Sequence, residues 1–268
     1  MQLLLGLLAA SGFGAAYAQR YHMMSKFYVA RLPLLVAVYG APCTGKSLLA
    51  ARLVQTLNLP NVLQLDALAH AALESRRGTP GGECSPLAAL MPPQGPPEGW
   101  RAFFERGTEA YDAACAVVTG ASYGEIRKAV CDGKPLLVEG AHTGPHVIDW
   151  AVALAHGGAK QWIAPEGDSE LPESSCPCRV VHVAVCVDAP SHAGLLRQFL
   201  HRRGMQVEEQ LLAWLVDRLQ EHQARICRAV ARSNGIQVHL APSTRAIEEA
   251  TKAVQATVLA AVEELDAQ

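Results

Sequence analysis

Apolar residues run almost unbroken from Leu34 to Tyr39, between Pro33 and Gly40, which predicts a strand buried on both faces of a parallel sheet. The period then changes. Across Ser47 to Leu57, Leu49, Leu53 and Leu57 fall four apart and share one helical face. Asn61 to Leu65 predicts a second strand ending at Asp66, with Ala67 to Ser75 continuing as helix. A third strand is expected over Pro135 to Val138, ending at Glu139. A fourth is expected over Val180 to Val187, ending at Asp188, and a fifth over Ile236 to Leu240 after the Asn234-Gly235 turn. Helices are expected over Trp100 to Cys131, broken near Gly120, over Ala193 to Arg203 and Glu208 to Ala231, joined around Gly204, and over Thr244 to Leu265.

Strands alternating with helices imply an α/β three-layer sandwich, and with Leu34 to Tyr39 as the central strand a five-stranded parallel sheet in the order 2-3-1-4-5 with helices on both faces is expected. Ligands of such sheets bind beyond the carboxyl ends of the strands, where Asp66, Glu139 and Asp188 are expected to converge. Two stretches rich in Pro and Gly, near 78–99 and 157–178, read as loop insertions in a domain spanning 31–268. Residues 1–30 read as an N-terminal helical segment. Its Leu3–Ala10 apolar run and Ala16-Tyr17-Ala18 mimic a signal peptide, but no Lys or Arg precedes the run, so retention is expected.

Composition narrows the class. Half of the 268 residues are hydrophobic and 18% are charged, which excludes wholesale disorder. A net charge of −2 gives no whole-chain basic field for nucleic acid, and no apolar run reaches the roughly 18 residues that a membrane span needs. The eight cysteines are scattered, several within expected helices or strands, which favours buried free thiols and a reducing, cytoplasmic setting. Cys176-Pro177-Cys178 lacks the spacing and second ligand pair of a zinc site.

The chemistry begins at Gly40-Ala41-Pro42-Cys43-Thr44-Gly45-Lys46-Ser47, which matches G-x-x-x-x-G-K-[ST] between a buried strand and an amphipathic helix. Glycines let successive backbone N–H groups curve round phosphate oxygens, and the helix that follows adds its positive end. Gly40 to Ser47, with Leu48, are the expected ATP-binding residues. Lys46 faces the β- and γ-phosphates, and the Ser47 hydroxyl is placed to ligate magnesium.

A phosphate loop does not specify a reaction. No guanine-reading Asn-Lys-x-Asp segment is present, and Leu136-Leu137-Val138-Glu139 is a Walker-B-like strand with Glu in the acidic place. Small-molecule kinases fit this arrangement better. Asp66 can orient an acceptor hydroxyl or simply cap the helix that starts at Ala67. Glu139 can hold magnesium through water or cap a loop, and His142 can meet an anionic substrate. Arg197, Arg202 and Arg203 can close as a lid over phosphates or form a solvated basic face. The partners expected are ATP and a small anionic phosphorylated substrate. A binding module that keeps the loop without catalysis is the rival reading.

Five segments carry a family likeness. Tyr21 to Phe27, then Gly45-Lys46-Ser47, then Leu57 to Gln64 with Asp66 resemble the 2-phosphoglycerate kinase family, most closely its plant branch linked to phytic acid accumulation. Asp132-Gly133-Lys134-Pro135 and Val138-Glu139-Gly140-Ala141-His142, followed by Pro145, resemble its Glu-Gly-x-His-x-x-Pro segment. The resemblance implies a P-loop kinase fold, magnesium as the metal, and transfer of the ATP γ-phosphate to 2-phosphoglycerate, giving 2,3-bisphosphoglycerate. It also implies roles for Lys46, Ser47, Asp66, Glu139, His142 and the arginines near Arg202, and it makes residues 1–18 the remnant helix of an upstream module. The chain departs from archaeal members after the aspartate, where Ala67 to Leu73 carries no basic residue.

Overall fold

Leu34–Tyr39 (β1) is buried at all six positions, as its unbroken apolar run requires of a strand covered on both sides. The computed structural model describes residues 21–68, 107–155 and 178–266, apart from Met23, Lys26, Ala30 and Arg203, with scattered positions among the first twenty. The two expected insertions, apart from Cys178, and the stretches 69–75 and 100–106 lie outside the described residues.

The strands β1, β2 (Val62–Gln64), β3 (Leu136–Gly140), β4 (Arg179–Cys186) and β5 (Ile236–His239) form one sheet in the order 2-3-1-4-5. Every pairing is parallel, with Ala37 opposite Val138 on one side and His182 on the other. The helices are α1 (Lys46–Leu57), α2 (Gly107–Cys131), α3 (Pro145–Ala155), α4 (Ala189–Arg202), α5 (Glu209–Arg232) and α6 (Thr244–Asp266).

Alternation along the strands sorts the core into two layers. Val36 and Val38 face α1 and α6, meeting Leu49, Leu53, Val254 and Val258. Leu35, Ala37 and Tyr39 face α2, α3 and α5, meeting Ile126, Ile148 and Val230. Phe27, 1% exposed, joins the first layer, and the Tyr28 hydroxyl donates to the Leu57 carbonyl at 2.9 Å, so residues 27–28 are tied to this core. A third cluster joins Leu196 and Leu200 of α4 and Leu215 and Leu219 of α5 to Ala41.

Behind the second layer a polar chain is fully satisfied. The Tyr39 hydroxyl donates to His182 Nδ1 at 2.8 Å, and His182 Nε2 donates to Asp149 of α3 at 3.0 Å, with the Tyr39 and His182 rings stacked. Pairing of this kind removes the cost of unmade hydrogen bonds in the interior. It also pins α3 to the end of β1.

Four expectations need correction. The second strand is three residues long, and Leu65 and Asp66 already belong to a helical turn. The helix before β3 runs unbroken through Gly120, because the penalty of about 1 kcal/mol for a helical glycine is small beside the packing of a long helix. The helix α3 was not foreseen. Asp188 does not join the other acids: it caps α4, its Oδ1 accepting from the Ser191 N–H at 2.8 Å and its Oδ2 from the Ser191 hydroxyl at 2.8 Å. No helix among the described residues is long and apolar enough to cross a membrane.

Candidate functional site

The loop leaving β1 takes its shape from a few backbone positions. Gly40 has no room for a side chain, since a Cβ there would sit 2.6 Å from Thr44 Oγ1. Cys43 has φ +64° and Gly45 φ +85°, both left-handed, and the Thr44 hydroxyl closes the turn on the Ala41 carbonyl at 2.9 Å. Alternating hand along successive residues is how a loop turns its N–H groups inward to make an anion nest. The α1 helix begins at Lys46 with Gly45 as its N-cap and no side chain occupying the cap, so its N-terminal end lies at the loop. Leu48 differs from the rest of the expected cradle: its N–H returns to the Gly45 carbonyl at 3.0 Å, and its side chain is half-exposed.

Lys46 is buried, and its Nζ lies 3.0 Å from Asp66 Oδ2. Asp66 is held on its other oxygen by the Ala141 N–H at 2.9 Å and by His142 Nδ1 at 3.4 Å. This approach depends on Gly140, where a Cβ would come within 2.8 Å of Leu65 Cβ and 3.4 Å of Asp66 Oδ1. Burial pushes the Asp66 pKa up. The His142 hydrogen bond, the charges of Lys46 and His142 and the Ala141 N–H outweigh it and hold the carboxyl well below the usual range. Asp66 is therefore a firmly ionised acceptor and a weak base.

Glu139, 4% exposed near the end of β3, accepts from the Ser47 hydroxyl at 2.9 Å. Burial raises its pKa, against the pull of Lys46 and Ser47. A desolvated carboxylate joined to a hydroxyl at the phosphate loop fits a small hard cation, which takes oxygen ligands and completes its shell with water and phosphate. No group of three or more His, Cys, Asp or Glu side chains suited to a metal occurs among the described residues, so a cation here would be held by Ser47 and Glu139 together with a nucleotide.

Lys46, Ser47, Asp66, Glu139 and His142 thus come together at the carboxyl edge of the sheet. Arg197 and Arg202 are not drawn into this group. Arg197 makes two bonds to Glu209, at 2.8 and 2.9 Å, across the α4–α5 hairpin; Arg202 is exposed, and Arg203 lies outside the described residues.

Sequence reasoning missed two contributions from the hairpin. The buried His192 of α4 donates from Nε2 to the Pro42 carbonyl at 2.8 Å, and Gln220 of α5 donates to its Nδ1 at 3.0 Å. His222 of α5 hydrogen-bonds the Ala141 backbone beside His142. Burial, then the charges of Arg225 and His142, push its pKa down to about 3. No motif marks these residues. The only signal was a polar residue at a helical position where an apolar one was due.

A five-stranded parallel sheet in this order, with a phosphate loop leaving its central strand, has the fold of the P-loop α/β proteins. No family model matches the chain, and no curated protein matches it either. Among solved structures it is similar to a "putative kinase" from Chloroflexus aurantiacus, at 12% identity and TM-score 0.47, covering 85% of this chain and 97% of that one. It is also similar to TT1252 from Thermus thermophilus, at 19% identity and TM-score 0.43, covering 84% and 98%.

Proposed function

We propose that the chain is an ATP-dependent kinase that transfers the γ-phosphate to the hydroxyl of a small anionic phosphorylated metabolite, 2-phosphoglycerate being the acceptor that the resemblance favours. The Lys46–Asp66 pair at the mouth of the phosphate loop carries this reading. Phosphoryl transfer asks little covalent chemistry of the protein and depends on positioning and charge. Triphosphate entering the loop draws the Lys46 ammonium toward its β- and γ-oxygens and frees an oxygen of Asp66. The ionised Asp66 then accepts a hydrogen bond from the acceptor hydroxyl and aims it at the γ-phosphorus; its low basicity suits orientation rather than early proton removal. Magnesium, when bound, would neutralise phosphate charge, with Ser47 and Glu139 holding it.

Arginines suit the acceptor's phosphate and carboxylate because a planar guanidinium binds either bidentately. In this reading α4 is the lid, and Arg197 exchanges Glu209 for phosphate on closure. Purified protein is tested with ATP and a panel of phosphoglycerates and inositol phosphates, read as ADP release and product mass. Transfer to 2-phosphoglycerate supports the assignment, and transfer to an inositol phosphate alone replaces the acceptor. A folded Lys46→Ala variant with unchanged ATP affinity and turnover removes the site.

The Arg197–Glu209 pair favours a second reading, a nucleotide-dependent interaction protein without catalysis, since the arginine is already engaged. Glu209→Gln separates the two. A lid freed from its latch lowers the KM for the acceptor, whereas in a pure binder no acceptor is turned over by either form.

A further inference from the structure

Cys186, the last residue of β4, is 2% exposed, and its Sγ lies 3.0 Å from Sγ of the half-buried Cys227 on α5. Both are free thiols. The contact is held on each side. Gln223, one helical turn before Cys227, accepts from the Val187 N–H at 3.0 Å and donates to the Val187 carbonyl at 2.9 Å, clamping the residue next to Cys186. Gln237 of β5 donates to the Cys227 carbonyl at 3.1 Å. The sulfurs therefore cannot drift apart without breaking backbone contacts, and closing to a bond of about 2.05 Å asks for a shift of roughly 1 Å.

We propose that Cys186 and Cys227 form a modification site, a dithiol that a hydroperoxide closes to a reversible disulfide. The roles of the two sulfurs differ. Cys227 is the more accessible, and the hydrogen bond from Cys186, followed by the charge of Arg228, draws its pKa down to about 7 against burial. Cys186 is pushed up by the same contact and by its burial. The Cys227 thiolate attacks one peroxide oxygen; the S–O bond forms, the O–O bond breaks, and the departing oxygen takes a proton to leave as water or an alcohol. Sulfur of Cys186 then attacks sulfur of the Cys227 sulfenic acid. The S–S bond forms as S–O breaks, and the hydroxyl leaves as water with the Cys186 proton. Each sulfur gives up one electron and the peroxide takes two. The closed form fastens α5 to the end of β4, at the junction that also carries Gln220 and His192.

The test uses the full chain, reduced, treated with hydrogen peroxide, unfolded, alkylated with N-ethylmaleimide and mapped by peptide mass. The expected product is one linked peptide pair joining Cys186 to Cys227, lighter by about 2 Da than the two thiol peptides and restored by dithiothreitol. The link should be lost when oxidation is carried out in denaturant. Cys186→Ser should stop the reaction at a Cys227 sulfenic acid trapped by dimedone, and Cys227→Ser should abolish the link. Three results overturn the proposal: both thiols still alkylated after other cysteines have reacted, Cys227 carried to sulfinic acid beside a free Cys186, or Cys227 joined to a different cysteine. Nucleotide takes no part in this assay, so its failure leaves the kinase reading untouched.

Discussion

His192 and Pro42 are 150 residues apart in sequence and share one hydrogen bond of 2.8 Å, from a buried ring in the hairpin to a carbonyl in the phosphate loop. Gln220 donates to the other ring nitrogen, which assigns His192 as the neutral Nε2–H tautomer. The bond fixes a peptide plane. With the Pro42 carbonyl turned to α4, the Cys43 N–H on the opposite edge of that plane points away from the hairpin.

His192→Leu should therefore do more than remove packing. It leaves the half-buried Pro42 carbonyl without its donor, at a cost of about 1–3 kcal/mol, takes one acceptor from the Gln220 amide, which keeps the Val187 carbonyl, and frees the loop's peptide plane. Urea unfolding should give the stability loss, and calorimetry with ATP–magnesium should show weaker binding. His192→Gln, which keeps a donor and an acceptor, should recover part of both. Equal nucleotide affinity in the two variants would show that the bond supports the fold without setting the loop.

The same histidine makes a pH prediction. Burial lowers its folded pKa, although the bond to the Pro42 carbonyl raises it. His222 is lowered to about 3. Below the ordinary histidine pKa of 6.5 the unfolded chain takes up protons that these two rings refuse, so stability is complete above pH 6.5 and declines as pH falls. Asp66, depressed from 3.8, adds a further loss below that value. Urea midpoints measured from neutral to acid pH should fall in that order, and His192→Gln should flatten the first decline while leaving the His222 share.

Glu139→Gln should separate stability from function. The raised pKa of Glu139 means that its ionised form is penalised in the fold, so this contribution favours stability below pH 4.5 and is lost as pH rises through the folded value. A neutral amide can still accept from Ser47. The variant should unfold at higher urea than the parent at neutral pH, yet lose the magnesium dependence of ATP binding in calorimetry. A variant that is both less stable and equally magnesium-dependent contradicts this account of the site.

Gly140→Ala probes the approach of Asp66 to β3. The new methyl meets Leu65 Cβ at 2.8 Å, so the Leu65–Asp66 turn must move. Overpacking of this kind costs about 1–3 kcal/mol. Calorimetry should show ATP binding altered along with stability, because Asp66 holds Lys46.

Why some elements were readable and others not has a physical basis. The run Leu34 to Tyr39 and the following Leu49, Leu53 and Leu57 carry their burial in their spacing, so the central strand, the loop and α1 follow from local chemistry. The strand order needed one thing more, the placing of Leu34 to Tyr39 at the centre of the sheet, because right-handed crossovers alone allow several orders. The helix α3 was invisible because Val147, Ile148, Ala151, Val152 and Ala153 are all buried, and a helix covered on several sides shows no polar face. Asp188 misled because a strand-ending acid and a helix N-cap look alike; the Asp-Ala-Pro-Ser sequence, with Pro in the first turn, favoured the cap. Lys46, Ser47, Asp66, Glu139 and His142, which lie together in the structure, were singled out by the loop motif, the ends of strands and the segment after Glu139. His192 and Gln220 act through tertiary contacts to backbone atoms, which leave no pattern in their own helices.

Ala41, at the heart of the phosphate loop, is completely buried among leucines of the α4–α5 hairpin. The loop thus has two partners, whatever anion lies in front and the hairpin behind. Energy exchanged between them is symmetrical: any ligand that favours one loop geometry favours the matching hairpin geometry by the same factor, and the reverse holds. A substitution such as Leu215→Ala, buried and far along the chain from any phosphate, should then be felt as a change in anion affinity. Amide exchange in α4 and α5 becomes a remote gauge of loop occupancy, readable without any knowledge of the acceptor.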